Sequence, residues 1–140
     1  MNAKQKGNRL EREWADMIRG YGLDKNARRM VMSGAIEHLK SDIFTKLPFH
    51  FEVKNQEKIN IWQALRQANE QCGSRVPVVV FSKNREQIYC CLLGSDFLTL
   101  LQKSKTAELI SRPQFPKPTK EKKSQIDYSQ LKFSKPIKKK

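Results

Sequence analysis

Asp42, Glu52 and Lys54 have the residue types and the spacing of a small acidic site that could hold a metal ion. Asp42 begins one predicted strand, and Glu52 and Lys54 lie two residues apart on the next one. Because side chains alternate between the two faces of a strand, Glu52 and Lys54 share a face. Hairpin pairing of the two strands would bring Asp42 beside them, so we expect two carboxylates and one amine at one sheet face.

Such a site is suited to phosphodiester hydrolysis. Divalent cations such as Mg²⁺ take oxygen ligands, and one or two carboxylates together with substrate phosphate oxygens suffice to hold one. The cation would polarise the phosphate and activate a water molecule. The lysine could position that water, deprotonate it or neutralise charge in the transition state, and the sequence leaves these roles open. Glu11 could add a third carboxylate, although charged residues also alternate on many solvated strands.

The elements that must position these residues follow from the periodicity of the apolar residues. After Gly7 and Asn8, apolar residues recur at helical spacing as far as Tyr21, which predicts an amphipathic opening helix. Three short strands are expected next, and Asn60 is expected to cap a second helix that ends at Gly73. Two further strands and a last helix complete the pattern. The five predicted strands are 28–32, 42–44, 49–54, 77–81 and 87–93, and the last helix is 95–102.

This order of elements determines the expected fold class. One helix, three strands, a second helix, two strands and a third helix predict an α/β fold in which a central mixed sheet is flanked by helices. Trp62, at the start of the second helix, is expected to pack on the sheet, with base stacking as the alternative.

Basic residues dominate the charge of the chain and are concentrated at its C-terminus. The 140 residues carry 28 Lys and Arg against 14 Asp and Glu, a net charge of +14. Ten of these basic residues and only two acidic ones lie in 112–140, together with four prolines. Few aliphatic residues are present there to offset the entropy of ordering, so we expect one folded domain over 1–111 and a disordered, flexible Pro/Lys-rich tail over 112–140. The positive charge favours polyanionic partners, above all nucleic acid.

The same composition excludes several classes of protein. The longest apolar stretches, 76–81 and 88–93, are too short to cross a bilayer, and the N-terminus has no apolar signal-peptide region. We therefore expect a cytoplasmic protein with no membrane partner. Cys72, Cys90 and Cys91 form neither a disulfide framework nor a metal-binding pair, which indicates buried, reduced thiols.

The motifs, taken in order, resemble the PD-(D/E)XK nuclease superfamily. The resemblance covers roughly residues 6 to 93 and is strongest to Holliday-junction-resolvase-like members from archaea and phages. One position departs from the family pattern, because Ser41 stands before Asp42 where the pattern has a proline that shapes the turn and does no chemistry. The matching segments are Lys6-Gly7, Glu11-Arg12-Glu13, Ser33-Gly34, Asp42-Ile43 and Glu52-Val53-Lys54.

The resemblance implies a restriction-endonuclease-like core and assigns roles to named residues. It makes Glu11, Asp42 and Glu52 the acidic site and Lys54 its lysine. It implies that Asp42, Glu52 and the backbone carbonyl of Val53 bind Mg²⁺, with Mn²⁺ as a substitute. Glu13 remains the competitor of Glu11 for the helix carboxylate.

A second set of residues is expected to contact DNA. Arg28 and Arg29 are expected to clamp phosphates, and Ser33 and Gly34 to approach the scissile phosphate closely. Similar nucleases often place a glutamine on the helix after the lysine strand, which points to Gln67. Two other glutamines on that helix, Gln63 and Gln71, offer the same chemistry.

The function that the resemblance implies is metal-dependent hydrolysis of DNA, as an endodeoxyribonuclease acting on branched DNA such as Holliday junctions. The relatives act as homodimers, and a small chain that grips four DNA arms needs a second copy. A bacterial cytoplasm or that of a phage-infected cell is the expected location. Two alternatives stay open: a nuclease for linear or single-stranded DNA, and a basic DNA-binding module without catalysis.

Truncation after Ser111 is expected to weaken DNA binding and to flatten its salt dependence. The truncation removes a net charge of +8. In the full chain, binding of these charges to the DNA backbone would release counterions and make the affinity depend on salt. Fluorescence anisotropy at several salt concentrations measures both effects, and cleavage at saturating protein is the control for an intact site. An unchanged salt slope would contradict a DNA-binding role for the tail.

Overall fold

Helices and strands alternate along the chain in the order that the sequence predicts. The computed structural model describes residues 2–31 and 41–104. The expected turn at Ser33 and Gly34 and the expected tail, 112–140, lie outside these ranges. Within them the elements are α1 (Ala3–Gly20), β1 (Arg28–Arg29), β2 (Ile43–Phe44), β3 (Phe49–Asn55), α2 (Ile61–Gln71), β4 (Val76–Ser82), β5 (Tyr89–Cys91) and α3 (Gly94–Ser104).

The first helix begins earlier than the apolar periodicity predicts. Asn2 caps α1, because its side chain accepts a hydrogen bond from the Gln5 amide at 2.9 Å while the Gln5 side chain accepts one from the Asn2 amide at 3.1 Å. This reciprocal capping box pairs two donors that a helix end would leave unpaired. It therefore starts the helix before Gly7 rather than after Asn8.

A mixed three-stranded sheet in the order β3, β4, β5 forms the centre of the fold. β3 and β4 are parallel, with Val53 opposite Val80, whereas β4 and β5 are antiparallel, with Val79 opposite Cys91. Parallel neighbours need a crossover connection, and α2 supplies it. β1 and β2 form a separate antiparallel pair. The predicted α/β class with a mixed sheet is confirmed, and it is consistent with a restriction-endonuclease-like core.

The first two helices cover opposite faces of this sheet. Val78 and Val80 of β4 belong to one apolar cluster with α1, whereas Val79 belongs to a second cluster with Ala64 and Ala68 of α2. This is the pattern of a strand buried on both faces. Each fully buried valine stabilises the fold by about 1.5–3 kcal/mol relative to an exposed one, so β4 anchors both layers.

The same alternation along β3 sends polar side chains toward α2. Phe51 and Val53 lie in the cluster under α1, so His50, Glu52 and Lys54 lie on the opposite face. His50 and Glu52 are buried there. Burying a carboxylate costs free energy unless it is paired or bound to a cation. This face of β3 is therefore the place where a functional site is expected.

The expected hairpin pairing of β2 with β3 is wrong. β2 pairs with β1, with Ile43 opposite Arg29. The segment before β2 lies against β3 through other bonds: the Asp42 amide donates to the Phe51 carbonyl at 3.0 Å, and the Ser41 hydroxyl accepts from the Phe51 amide at 3.1 Å. The Ser41 hydroxyl also donates to the Phe51 carbonyl at 3.3 Å. Ser41 thus holds the site segment on β3 at the position where the family pattern has proline.

Two further features concern the classes that composition excludes. Cys72, Cys90 and Cys91 are all free thiols, but the expectation that they are buried is wrong, since Cys90 is exposed and the other two are half-buried. Across 2–31 and 41–104, no helix combines the length and the apolar character needed to cross a membrane.

Ser41→Ala is expected to lower the free energy of unfolding by about 1–3 kcal/mol, because it removes the hydroxyl acceptor from a buried Phe51 amide. Urea denaturation followed by circular dichroism measures the change. The matched control is Ser74→Ala at an exposed serine, for which a change within about 0.5 kcal/mol is expected. Equal effects of the two substitutions would contradict the role given to Ser41.

Candidate active site

Asp42, Glu52 and Lys54 meet at the edge of β3 that faces β2. The Asp42 carboxylate is positioned by the strand backbone itself, because its Oδ2 atom accepts a hydrogen bond from the Val53 amide at 2.7 Å. Glu52 and Lys54 flank Val53 in sequence, and the Lys54 Nζ atom lies 2.6 Å from Glu52 Oε1. The structure therefore brings together the three residues that the spacing placed at one sheet face, although through a side-chain bond rather than a hairpin ladder.

The electrostatic environment of Asp42 disfavours its ionised form. Burial is the largest cause, and together with the charges of Glu52 and Glu11 it raises the pKa of Asp42 to about 7. The Val53 amide and the Lys54 ammonium act in the opposite direction without cancelling the rise. A cation beside these carboxylates would relieve both the desolvation and the repulsion between like charges.

Glu52 is more deeply buried than a carboxylate normally is. It is 3 % exposed, and its ion-pair partner is Lys54 of the same strand. An ion pair of this kind recovers only part of the free energy lost when both charges leave water. The arrangement thus maintains an acidic group inside the protein at a cost to stability, as is common at functional sites.

Gln67 of α2 completes the surroundings of Lys54. Its Oε1 atom accepts a hydrogen bond from Lys54 Nζ at 3.3 Å. Of the three helix glutamines considered from the sequence, Gln67 lies against the lysine and Gln63 is exposed. Lys54 is therefore held from two sides, by Glu52 on its own strand and by Gln67 on the crossover helix.

Glu11 of α1 is bound to Arg29. The Arg29 Nε atom lies 2.5 Å from Glu11 Oε2, and another guanidinium nitrogen donates to Asn8 Oδ1 at 2.7 Å. The charge of Glu11 reaches Asp42, where it contributes to the raised pKa. The structure thus joins two residues that are expected to have separate roles, Glu11 as an acid of the site and Arg29 as a phosphate clamp.

Asn8 contacts Arg29 together with Glu11, and the sequence analysis did not identify it. It contributes a hydrogen-bond acceptor to Arg29 from one helical turn before Glu11. The spacing of three residues between Asn8 and Glu11 places both on one face of α1, and this was the available signal. It could be interpreted only once Arg29 was known to lie beside that face.

The other expected DNA contacts are distributed differently. The guanidinium of Arg28 lies over the Phe44 ring, 4.0 Å from its centroid, in a cation–π contact. Ser33 and Gly34 lie outside the described residues.

Trp62 is 71 % exposed, so the expectation that it packs on the sheet is wrong. It lies at the start of α2, on a turn of helix that buries the smaller Ala64 instead.

The oxygen donors at the site fit a hard divalent cation. In the part of the chain that the structure describes, no group of three or more His, Cys, Asp and Glu side chains is arranged to hold a metal ion. Asp42 and Glu52 nevertheless lie close enough together for the charge of Glu52 to raise the pKa of Asp42. Because the amide and carbonyl of one strand residue point to the same side, the Val53 carbonyl also lies on the edge facing Asp42. Mg²⁺ needs few protein ligands, since it keeps several waters.

Comparison with known proteins agrees with this chemistry. A family model described as "Phage putative PDDEXK endonuclease" matches residues 2–139. PD-(D/E)XK nucleases generally use divalent metal ions, and an endonuclease family implies DNA as the substrate. No curated protein and no solved structure matches the chain.

Asp42→Asn is expected to stabilise the cation-free protein at pH 8 and to have little effect at pH 4. The unfolded aspartate ionises near its ordinary pKa of 3.8, whereas the folded one ionises near about 7. The free energy of unfolding of the wild type therefore falls by about 1–4 kcal/mol as pH rises between these two values, whereas that of the asparagine variant does not.

Thermal unfolding in EDTA between pH 4 and pH 8 measures this difference. Each kcal/mol corresponds to a rise in Tm of about 4 °C for a domain of this size. Asp16→Asn, at an exposed aspartate of α1 that is ion-paired with Arg19, is the matched control and should not become more stable than the wild type as pH rises. A difference in Tm between the wild type and Asp42→Asn that does not change with pH would contradict the raised pKa of Asp42.

Proposed function

The chain belongs to the phage PDDEXK endonuclease family, and from this premise we propose that it is a Mg²⁺-dependent endodeoxyribonuclease that cuts branched DNA, as a Holliday junction resolvase. The observation that carries the proposal is the meeting of Asp42, Glu52 and Lys54 around Val53 on β3. Two carboxylates that repel each other and a fixed ammonium group form a site for a cation and a phosphate.

The acidic residues would hold the cation. Asp42, Glu52 and the Val53 carbonyl are the proposed ligands, and Glu11 lies near enough for its charge to act on Asp42. When bound, Mg²⁺ would polarise a phosphate oxygen and lower the pKa of a coordinated water. Asp42 must lose its proton to bind a cation, so its pKa of about 7 favours activity above neutral pH.

Lys54 would stabilise negative charge on the phosphate. An ammonium group has three donors, and in this structure Glu52 and Gln67 lie within reach of Lys54 Nζ. A further donor remains for a phosphate oxygen or for the attacking water. Because Glu52 neutralises Lys54 as an ion pair, the contacts support an electrostatic and positioning role more than proton abstraction by a neutral amine.

Arg29 would bind the DNA backbone beside the site. A guanidinium group has five N–H donors, of which the contacts with Glu11 and Asn8 engage only some. The others can reach a phosphate while the ion pair holds the side chain in place. The net charge of +14 supports DNA binding over the rest of the chain.

Branched DNA as substrate is supported by the resemblance of the motif order to junction resolvases. A four-way junction has two equivalent strands to cut, which favours a homodimer with one site in each copy. The phage origin of the family supports action in the cytoplasm of an infected cell. A DNA-binding module without catalysis is disfavoured, because buried carboxylates facing phosphate would weaken binding unless a cation lies between them.

Cleavage of a four-way junction, a linear duplex and a single strand, each end-labelled, tests the substrate. With Mg²⁺ or Mn²⁺ we expect paired nicks near the junction centre at rates at least about tenfold above the other substrates, and no cleavage in EDTA. Faster cleavage of linear or single-stranded DNA would contradict the assignment as a resolvase and indicate a general nuclease. DNA binding without any metal-dependent cutting would contradict nuclease activity.

Glu52→Gln and Lys54→Ala are each expected to reduce the cleavage rate at least about 100-fold while DNA binding is largely retained. The matched controls are Glu70→Gln and Lys58→Ala, at exposed positions of the same charge. Single-turnover cleavage and gel-shift binding are measured side by side. Parallel loss of binding and cleavage in the first two variants would contradict a catalytic role.

A further inference from the structure

Trp62, in the first turn of α2, is an exposed tryptophan that the proposed active site does not use. It is 71 % exposed, whereas tryptophan is highly buried in proteins on average. The indole ring therefore presents a wide aromatic surface to solvent. In a chain of net charge +14, such a ring is suited to stacking on the base of a nucleotide.

Helical spacing places Trp62 on the flank of α2 that faces β4 and β5. Leu65 lies three residues after Trp62, so the two share a side of the helix. Leu65 packs in the same apolar cluster as Phe81 of β4. Because α2 begins at the carboxyl end of β3 and crosses back over the sheet to the parallel strand β4, its first turn lies near the loop that follows β4, 83–87.

Tyr89 is a second exposed aromatic residue on this side of α2. In the sheet, Lys54 pairs with Phe81 and Phe81 pairs with Tyr89, so the three lie in one row on the face that α2 covers. The Tyr89 and Phe81 rings are stacked, with their centroids 5.9 Å apart, and Tyr89 is 55 % exposed. A strand spacing of about 4.8 Å puts the backbones of Lys54 and Tyr89 about 10 Å apart. This side of α2 is therefore close to the proposed site but separate from it.

Two loops at the carboxyl end of β3 and β4 supply positive charge beside these rings. The loops contact each other, because the Asn84 amide donates to Glu57 Oε1 at 3.0 Å. Across 56–60 and 83–87 there are three basic residues and two acidic ones. Arg66, one turn after Trp62 on the same side of α2, adds a fourth basic residue. The term "Trp62 surface" refers to Lys58, Trp62, Arg66, Lys83, Arg85 and Tyr89, all of which are exposed.

Arg85 adopts a backbone conformation that favours glycine. Its φ is 65°, and among the described residues that have a side chain it alone has a positive φ. In this left-handed region a side chain crowds the backbone, whereas glycine enters it freely. The turn thus carries an arginine at a cost to the fold, which a phosphate contact by its guanidinium group would explain.

We infer that the Trp62 surface binds unpaired nucleotides of the DNA substrate, with a base stacked on the indole ring and the phosphates paired with the surrounding basic side chains. Inside a duplex both faces of a base are covered by its neighbours, so stacking of this kind selects unpaired bases. The inference rests on the proposed function for its place beside the cleavage site. It deepens that function by favouring branched substrates that carry a single-stranded segment near the cut.

Single-stranded nucleic acid fits this surface through both of its chemical features. Proteins that bind single strands combine aromatic side chains, on which bases stack, with basic side chains that follow the backbone. Trp62 and Tyr89 supply the first feature, and the four basic residues of the Trp62 surface supply the second. An apolar protein segment would use the rings and leave these charges without partners.

A fluorescein-labelled oligothymidylate of about 12 nucleotides tests the surface. Fluorescence anisotropy in EDTA, where metal-dependent cleavage does not occur, gives its Kd for the full chain. Trp62→Ala is expected to raise this Kd about 5- to 100-fold, the contribution of one stacked base, and to change the Kd of a duplex of equal length less than about twofold. Trp62→Phe, which keeps an aromatic ring, should lie between. Leu23→Ala, at a 53 % exposed position in the loop after α1, is the matched control and should bind as the wild type does.

Tryptophan fluorescence reports the stacking itself. The chain has two tryptophans, and the other one, Trp14, packs edge-on against Phe51 with ring centroids 5.6 Å apart. Unlabelled oligothymidylate should quench the fluorescence of the wild type and leave that of Trp62→Ala unchanged. Glu52→Gln, which is expected to lose cleavage, should be quenched as the wild type is, so this measurement does not depend on nuclease activity.

Arg85→Gly separates binding from folding. It is expected to raise the Kd of the oligothymidylate about two- to fivefold through loss of a phosphate contact, while Tm stays the same or rises because glycine relieves the left-handed backbone. Lys25→Ala, at an exposed lysine in the loop after α1, removes the same charge elsewhere and should have a smaller effect. Weaker binding together with a lower Tm, or equal effects of the two variants, would contradict a phosphate contact by Arg85.

Three outcomes would overturn the inference: equal losses of single-strand and duplex affinity in Trp62→Ala, equal effects of Trp62→Ala and Leu23→Ala, or absence of quenching in the wild type. Quenching in a chain that cuts no DNA would overturn the proposed nuclease function instead and would support the Trp62 surface as a site for unpaired nucleotides.

Discussion

The hydrogen bond from the Val53 amide to the Asp42 carboxylate, 2.7 Å long, places this carboxylate beside β3. β2 has only two residues and pairs with β1, so no ladder could hold Asp42 on β3. The Asp42 carboxylate replaces the missing ladder, together with the Asp42 amide and the Ser41 hydroxyl, which both bond to Phe51. Because Glu52 and Lys54 flank Val53, a bond to its amide brings Asp42 beside both of them.

This solution has an electrostatic cost. Burial and two neighbouring carboxylates raise the pKa of Asp42, so the metal-free site destabilises the fold near neutral pH. The two apolar clusters on either side of β4 offset the loss. A divalent cation bound there, as proposed, would relieve the repulsion among these carboxylates.

The sequence predicts much of this site because strand alternation is a local property. The shared face of Glu52 and Lys54, the order of the elements and the Asn60 cap all follow from spacing. The hairpin of β2 with β3 was wrong because a short strand has several possible neighbours. The contact of Arg29 with Glu11 and the role of Ser41 join residues far apart in sequence, which no local pattern reveals. Trp62 is exposed because α2 turns two small alanines, not its largest residue, toward the sheet.

Asp42, Glu52 and the Val53 carbonyl are proposed to form a cation site. Paramagnetic broadening of the backbone amide signals by substoichiometric Mn²⁺, recorded at pH 8 by NMR, tests this claim most directly, since it detects even weak binding. A cation site at these residues predicts broadening centred on Val53 and its neighbours in the wild type and its loss in Asp42→Asn. Broadening centred elsewhere, or unchanged in the variant, would contradict such a site.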